Sequence, residues 1–374
     1  MRNFNFLMLA FALMLTGAVT QAEGVNGSFQ RPVRVGVILP LSGDSASIGV
    51  SIKNGITMAY DKLPAETRSK ITLLFEDDQL NPAMTVTAFQ KLLNMDRIDV
   101  LITGYSGPSK AVAQLAEQKK IPQIAIASDP QIVRGKQYVM NFWVTPEEEA
   151  RAALSEALKR GYKRIARITA IQQGFLAIKA GFDQQNSGRL RIEIDEEYNP
   201  ETRDFKTFLA KVKSRNDLDA IFVLLMVNGQ TGIFARQAGE MGITLPLFNV
   251  EGFEDKNEQN LSQGALVGHW YSTNDDPSGR FLDEYQKRFP AASVFAAGNG
   301  HDALLLLAAA VEKNPDSQAI NSFLHGVKNF NGALGQFSAT SDNRFTLPAT
   351  VKVVTEHGFK KLYDNETTSN YSGL

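Results

Sequence analysis

The feature that most constrains this chain is an alternation of short, β-branched apolar runs with stretches of helical period, carried through twice. Residues 34–39 (RVGVIL) end at Pro40 and Gly43, and residues 49–63 then place Ile52, Ile56, Ala59, Tyr60 and Leu63 on one helical face. A strand over 71–75, a helix over 82–93, a strand over 99–103, a helix over 108–117 and a strand over 122–126 continue the pattern. Apolar strands separated by helices indicate a parallel sheet covered on both faces. After the aromatic stretch 141–145 (NFWVT), Pro146 and the three glutamates Glu147, Glu148 and Glu149 read as a helix first turn that complements the macrodipole. A second series of the same kind runs from there to residue 248. Helices over 278–289, 296–312 and 318–326 follow with no strand between them, and the chain closes with a β-type end over 335–362. The expected fold class is α/β, with two Rossmann-like lobes built on parallel sheets.

At about 150 residues per domain, 374 residues suit two such units. Thirty-nine Lys and Arg nearly balance 40 Asp and Glu, which argues against nucleic acid as a partner. With no cysteine, disulfides, thiolate metal sites and cysteine nucleophiles are excluded. The four histidines, His269, His301, His325 and His357, have no metal-ligand spacing, so no metal or other cofactor is expected. Residues 1–22 combine Arg2, an apolar run over 6–15 and the small residues Thr20 and Ala22, the pattern of a secretory signal cleaved near Ala22. The run is shorter than the ~20 apolar residues that span a bilayer. In a Gram-negative cell the product would reside in the periplasm. The last eleven residues, 364–374, form a polar tail.

Enzyme signatures are missing: GYSGPS is not GxSxG, and neither GxxxxGK[ST] nor a GxGxxG after the first strand occurs. Chemistry is nonetheless concentrated where strands end. In the segment 103–109 (TGYSGPS), Pro108 suits the first helical position, and free helix amides with the Ser106 hydroxyl beside them could hold an anion. Ser106 reads equally well as a simple helix cap. In the next turn Ser128 could donate and Asp129 accept, or both could belong to an ordinary turn before Pro130. Glu251, in the turn 249–253 (NVEGF), could face an ammonium group or be solvated surface.

Four blocks in order resemble the branched-chain amino-acid binding family of type I periplasmic substrate-binding proteins, the solute receptors of ABC importers: VGVILPLSGDSASIGVSIKNGITMAYDKL, FEDDQLNPAMTVTAFQKLL, ITGYSGPSKAVAQLAEQKKIPQIAIASDP and GQFSATSDNRF. The resemblance extends over residues 34–362. It implies two lobes joined by a three-crossing hinge, with 31–144 and 274–333 in lobe one and 145–273 and 334–363 in lobe two. The crossings would fall near Val144, Thr273 and Leu334, with Trp143 and Trp270 beside the hinge. It also implies that Ser106, Ala127 and Ser128 bind the carboxylate end of an amino acid, that Glu251 receives the α-ammonium, and that Ile48, Gln173 and Asn228 stand where relatives carry aromatic residues. With the aromatic clamp largely absent, the SDP turn one residue shorter than in leucine-binding members and Asp129 adding an acid, the side-chain pocket departs from the leucine type. The implied protein is a monomeric, non-enzymatic receptor that passes a small amino-acid-like ligand to a membrane ABC permease. Alternatives are a sensor of the same fold feeding a signalling partner, or a receptor for aromatic carboxylates, amides or urea-like solutes.

Overall fold

The computed structural model describes residues 31–363; the expected signal sequence and the expected polar tail lie outside the described residues. The first sheet has five parallel strands, β1 (Val33–Leu39), β2 (Ile71–Asp77), β3 (Val100–Gly104), β4 (Gln123–Ile126) and β5 (Val139–Asn141), in the order β2-β1-β3-β4-β5. All five residues of β3 are buried, as a central strand covered on both faces requires. Helices α1 (Ala46–Lys62), α2 (Ala65–Ser69), α3 (Pro82–Asn94) and α4 (Ser106–Lys119) make the crossovers.

The second sheet repeats the plan. After α5 (Pro146–Lys159) come β6 (Arg164–Ala170), α6 (Gln173–Asn186), β7 (Arg191–Tyr198), α7 (Lys206–Lys213), β8 (Ala220–Leu224), α8 (Gln230–Glu240), β9 (Leu247–Val250), α9 (Lys256–Ser262) and β10 (Trp270–Asn274). Its parallel part runs β7-β6-β8-β9-β10, the same order as the first sheet, so strands β6 to β10 are the counterparts of β1 to β5.

From β10 the chain returns to the first sheet. Helices α10 (Gly279–Arg288), α11 (Ala297–Lys313) and α12 (Ser317–His325) are followed by a hairpin of β11 (Phe330–Gly332) and β12 (Gly335–Phe337). Helix α11 crosses α1 so closely that a Cβ on Gly55 would overlap the Ala297 carbonyl, and one on Gly300 would overlap that of Ile52. Leu304, Leu307 and Val311 thereby join Ile52, Ile56 and the first-sheet strands in one core. Leu334, Phe337, Phe345 and Leu347 belong to that same core, and residue 344 bridges to Asn141 at the sheet edge. Only at β13 (Ala349–Thr355) does the chain join the second sheet, pairing antiparallel with β10 and with the final strand β14 (Gly358–Lys361). The second sheet is therefore mixed at one edge.

Three chain segments pass between the sheets, and hydrogen bonds tie them together. The Val144 amide donates to Asn274 Oδ1 at 3.0 Å, and the Asp275 amide donates to the Pro348 carbonyl at 3.0 Å. Beside them Lys352 is buried and paired with Glu254 and Asp276. Trp143 stands on the first of these segments. Trp270 instead lies in the core of the second sheet, stacked on Phe248 with ring centroids 4.7 Å apart and covered by Ala150, Leu154 and Ala157 of α5. Its apolar bulk fits that core better than a hinge between two mobile parts.

Candidate functional site

Parallel strands place the loops after them at one edge, and the carboxyl ends of the two sheets face each other across a cavity of about 670 Å³, part of it open to solvent. Equivalent strand ends contribute from both sides. Ile48 follows β1, Tyr105 and Ser106 follow β3, and Ala127 and Ser128 follow β4; opposite them, Gln172 and Gly174 follow β6, Met226 and Val227 follow β8, and Glu251 and Gly252 follow β9. Trp143, Phe175, Ile178 and Phe295 complete walls that are mostly apolar.

Ser106 is the first residue of α4, so Pro108 occupies the third helical position and not the first. Tyr105 precedes the helix with φ of 62° and gives it no side-chain cap. The Ser106 hydroxyl therefore does not cap α4; it accepts the Asp129 amide at 3.2 Å and lies 3.4 Å from the Ser128 hydroxyl. A β-carbon on Gly174, at the start of α6, would sit 2.8 Å from Ser128 Oγ and 3.1 Å from Ser106 Oγ, so only glycine lets the two sides approach this closely here. The Gln172 side chain caps α6 by accepting the Gly174 amide at 2.8 Å.

Glu251 also has a positive φ, 65°, and its amide is held by the Ser272 carbonyl at 2.8 Å. A left-handed backbone at a non-glycine residue costs of order 1–3 kcal/mol, and three such residues, Tyr105, Glu251 and Ala296, line this cavity. The Glu251 carboxylate accepts the Trp143 indole N–H. Burial pushes its carboxyl above the ordinary range. Behind it stands Glu149, fully buried, whose carboxyl is pushed well above the ordinary range by burial and by the neighbouring Glu251.

The rims of the cavity are bridged as well. Ser47 on α1 donates to the buried carboxylate of Asp255, and Lys110 on α4 donates to Gln173 Oε1 at 3.0 Å while pairing with Asp129 at 3.1 Å. The Ser47–Asp255 and Lys110–Gln173 contacts each join the first-sheet side to the second, while the Lys110–Asp129 pair stays on the first.

Of the residues singled out in the sequence, Ile48, Ser106, Ala127, Ser128 and Glu251 line the cavity; Gln173 and Asn228 do not. Their neighbours Gln172 and Val227 take those places. The capping role of Gln172 sets the helical phase that turns Gln173 toward Lys110 on the rim, and Asn228 turns away to donate to the Pro200 carbonyl at 3.2 Å. Glu149 stands in the sequence as one of three first-turn glutamates, and the structure buries it. Its signal was its phase: Glu149, Ala150, Ala153, Leu154 and Ala157 form the buried stripe of α5, whereas Glu147 pairs with Arg344 and Glu148 with Arg151.

The profile of the periplasmic binding protein family matches residues 32–358. The chain belongs to this family. Among curated relatives, a Leu/Ile/Val-binding protein homologue of Brucella melitensis is 25% identical over 88% of this chain and 94% of the relative, and the Leu/Ile/Val-binding protein BraC3 of Rhizobium johnstonii is 24% identical over 81% and 86%. The leucine-binding protein LivK of Thermotoga maritima superposes with a TM-score of 0.82 at 20% identity, covering 88% of this chain and 98% of its own. A solute-binding protein of an ABC transporter from R. palustris, solved with benzoate, superposes with a TM-score of 0.79 at 20% identity, covering 88% and 95%. This periplasmic binding protein thus has the type I fold, two α/β lobes around a cleft. Among its described residues no group of side chains is arranged to hold a metal ion, and no helix is long and apolar enough to cross a membrane.

Proposed function

We propose that this binding protein captures a small amino-acid-like solute between its lobes in the periplasm and hands it to an ABC importer permease. The observation that carries the reading is the polarity of the cavity. At one pole the Ser106 and Ser128 hydroxyls lie beside the start of α4, where free amides favour a carboxylate. At the other, Glu251 supplies a carboxylate for an ammonium group, and apolar side chains fill the space between. A solute with both charges satisfies both poles, and a buried pair of this kind gives orientation more than raw affinity because desolvation offsets much of the attraction. Delivery to a permease is supported by the relatives, several of which are ABC transporter substrate-binding proteins.

The lobes we assign are residues 31–144 with 274–347, and 145–273 with 348–363. The third crossing is set near Pro348 because Leu334, Phe337, Phe345 and Leu347 pack with the first sheet. Closure about the three tied segments would select the ligand-bound form that a permease reads.

The apolar walls and the benzoate-bound relative support a second reading, a receptor for aromatic carboxylates. A thermal-shift screen of the purified protein against amino acids, aromatic acids, amides and polyamines separates the two, since a ligand that binds only the folded state raises the melting temperature. A shift with amino acids that Glu251→Ala abolishes is the expected result. A shift with aromatic acids alone, undiminished in Glu251→Ala, would transfer the function to the second reading.

A further inference from the structure

The Glu149–Glu251 pair is unusual in what surrounds it. The Glu251 carboxyl lines a largely apolar cavity, the Glu149 carboxyl lies fully buried behind it, and neither oxygen of Glu149 accepts a hydrogen bond in good geometry. Among the described residues, the cations on elements packed against α5 are already paired with other groups. On β13, Lys352 is committed to Glu254 and Asp276; on β6 and α6, Arg167 pairs with Asp183 and Asp195, and Lys179 with Asp195 and Glu197. On α5 itself Arg151 pairs with Glu148, Arg160 with Glu156, and Lys159 lies over the Tyr363 ring. Strand β9 carries no titratable side chain, and on β10 Tyr271 donates to Glu254, the carboxylate already paired with Lys352. The group facing Glu149 from the hinge segment is the Trp143 indole, which donates to Glu251.

We propose that Glu149 is a neutral carboxylic acid at neutral pH and acts as a positioning residue, donating its proton in a hydrogen bond to Glu251. With Trp143 on one side and Glu149 on the other, the Glu251 carboxylate would be fixed by two donors while carrying the single negative charge of the pair. Two charged carboxylates in such an enclosure would repel each other and lack counterions, whereas one shared proton satisfies the otherwise orphaned oxygen. The direction of the Glu149 shift agrees, since burial and the neighbouring Glu251 both raise it. One consequence, which rests on the proposed ammonium-binding role of Glu251, is that the acidic wall accepts one positive charge and not two.

The protein carries its own reporter, because Trp143 touches Glu251 and the sequence has only one other tryptophan, Trp270. In a Trp270→Phe, Glu258→Gln background, which removes the second tryptophan and the other carboxyl that burial raises to about 7, the emission of the ligand-free protein is followed as pH rises, and the infrared carbonyl stretch of a protonated carboxylic acid is recorded at neutral pH. The expected result is an acid carbonyl band at neutral pH and a single emission step above the ordinary carboxyl range, both removed by Glu149→Gln, whose amide still donates to Glu251. Absence of the band in the wild-type sequence, a measurement that needs no variant, overturns the proposal, as does a band or emission step that survives Glu149→Gln. Neither readout involves a solute, so a failed ligand screen would count against the proposed function and leave this assignment in place.

Discussion

On the first-sheet side of the cleft the polar groups include the hydroxyls of Ser106 and Ser128 beside the start of α4; on the second-sheet side the charge is the carboxyl of Glu251, with Glu149 buried behind it. The two sides are built from equivalent strand ends in the same sheet order, so the scaffold does not decide which charge each holds. The chemistry comes from single residues in the loops, and under the proposed function the asymmetry would give a bound solute one orientation. It also separates what each side costs: the serine hydroxyls have partners, whereas the Glu149 carboxyl is buried with no hydrogen-bond partner in good geometry.

The comparison can be broken by removing one side at a time. Glu251→Ala is expected to weaken amino-acid binding most, by 2 kcal/mol or about thirtyfold, because it strips the counterion from a buried ammonium; isothermal titration calorimetry of the amino acid chosen by the screen measures it. Ser106→Ala should cost about 1.4 kcal/mol, near tenfold, since Ser128 and the helix amides remain. Affinity unchanged in both variants would refute the two-pole arrangement. Gly174→Ala should have a smaller effect on affinity but act on closure, as its β-carbon would press on both serine hydroxyls; small-angle scattering of the ligand-saturated variant should give a larger radius of gyration than the parent.

A fourth, smaller contrast concerns pH and lies wholly on the second-sheet side. Burial lowers His269 to about 4, so the folded state binds fewer protons than the unfolded one and this contribution to stability is lost as pH falls from 6.5 toward 4. Burial raises Glu258 to about 7, so its contribution runs the other way and is lost as pH rises from 4.5 toward 7. Calorimetry should show Glu258→Gln gaining on the parent as pH rises through that window, and His269→Gln gaining on it as pH falls. Parallel curves for either variant and the parent would show that the group is not buried as described.

The alternating architecture was legible because each strand and crossover helix writes its own pattern locally, and the loops at strand ends drew notice because Gly, Pro and Ser punctuate them. Ser106, Ser128 and Glu251 stand at such ends. What sequence could not supply was side-chain phase beyond the loops. Gln173 and Asn228 missed the cavity by one residue each, since a single cap, Gln172, rotates the start of α6. Glu149 was hidden among three glutamates with one apparent purpose until the tertiary packing of α5 sent one to Arg344, one to Arg151 and one inside. The point where the chain last changes sheets was equally silent, because Phe337 and Phe345 are drawn to the first core by contacts with Phe142, nearly two hundred residues earlier.

The close crossing of α1 and α11 has a consequence for the order of assembly. The face of the first sheet under α1 remains incomplete until residues near 300 have been made, so the amino-terminal lobe cannot finish before the second has largely emerged. Contacts of such long sequence separation slow folding. A chain that stays loose until nearly its whole length is present is also one that can still be threaded through a narrow passage.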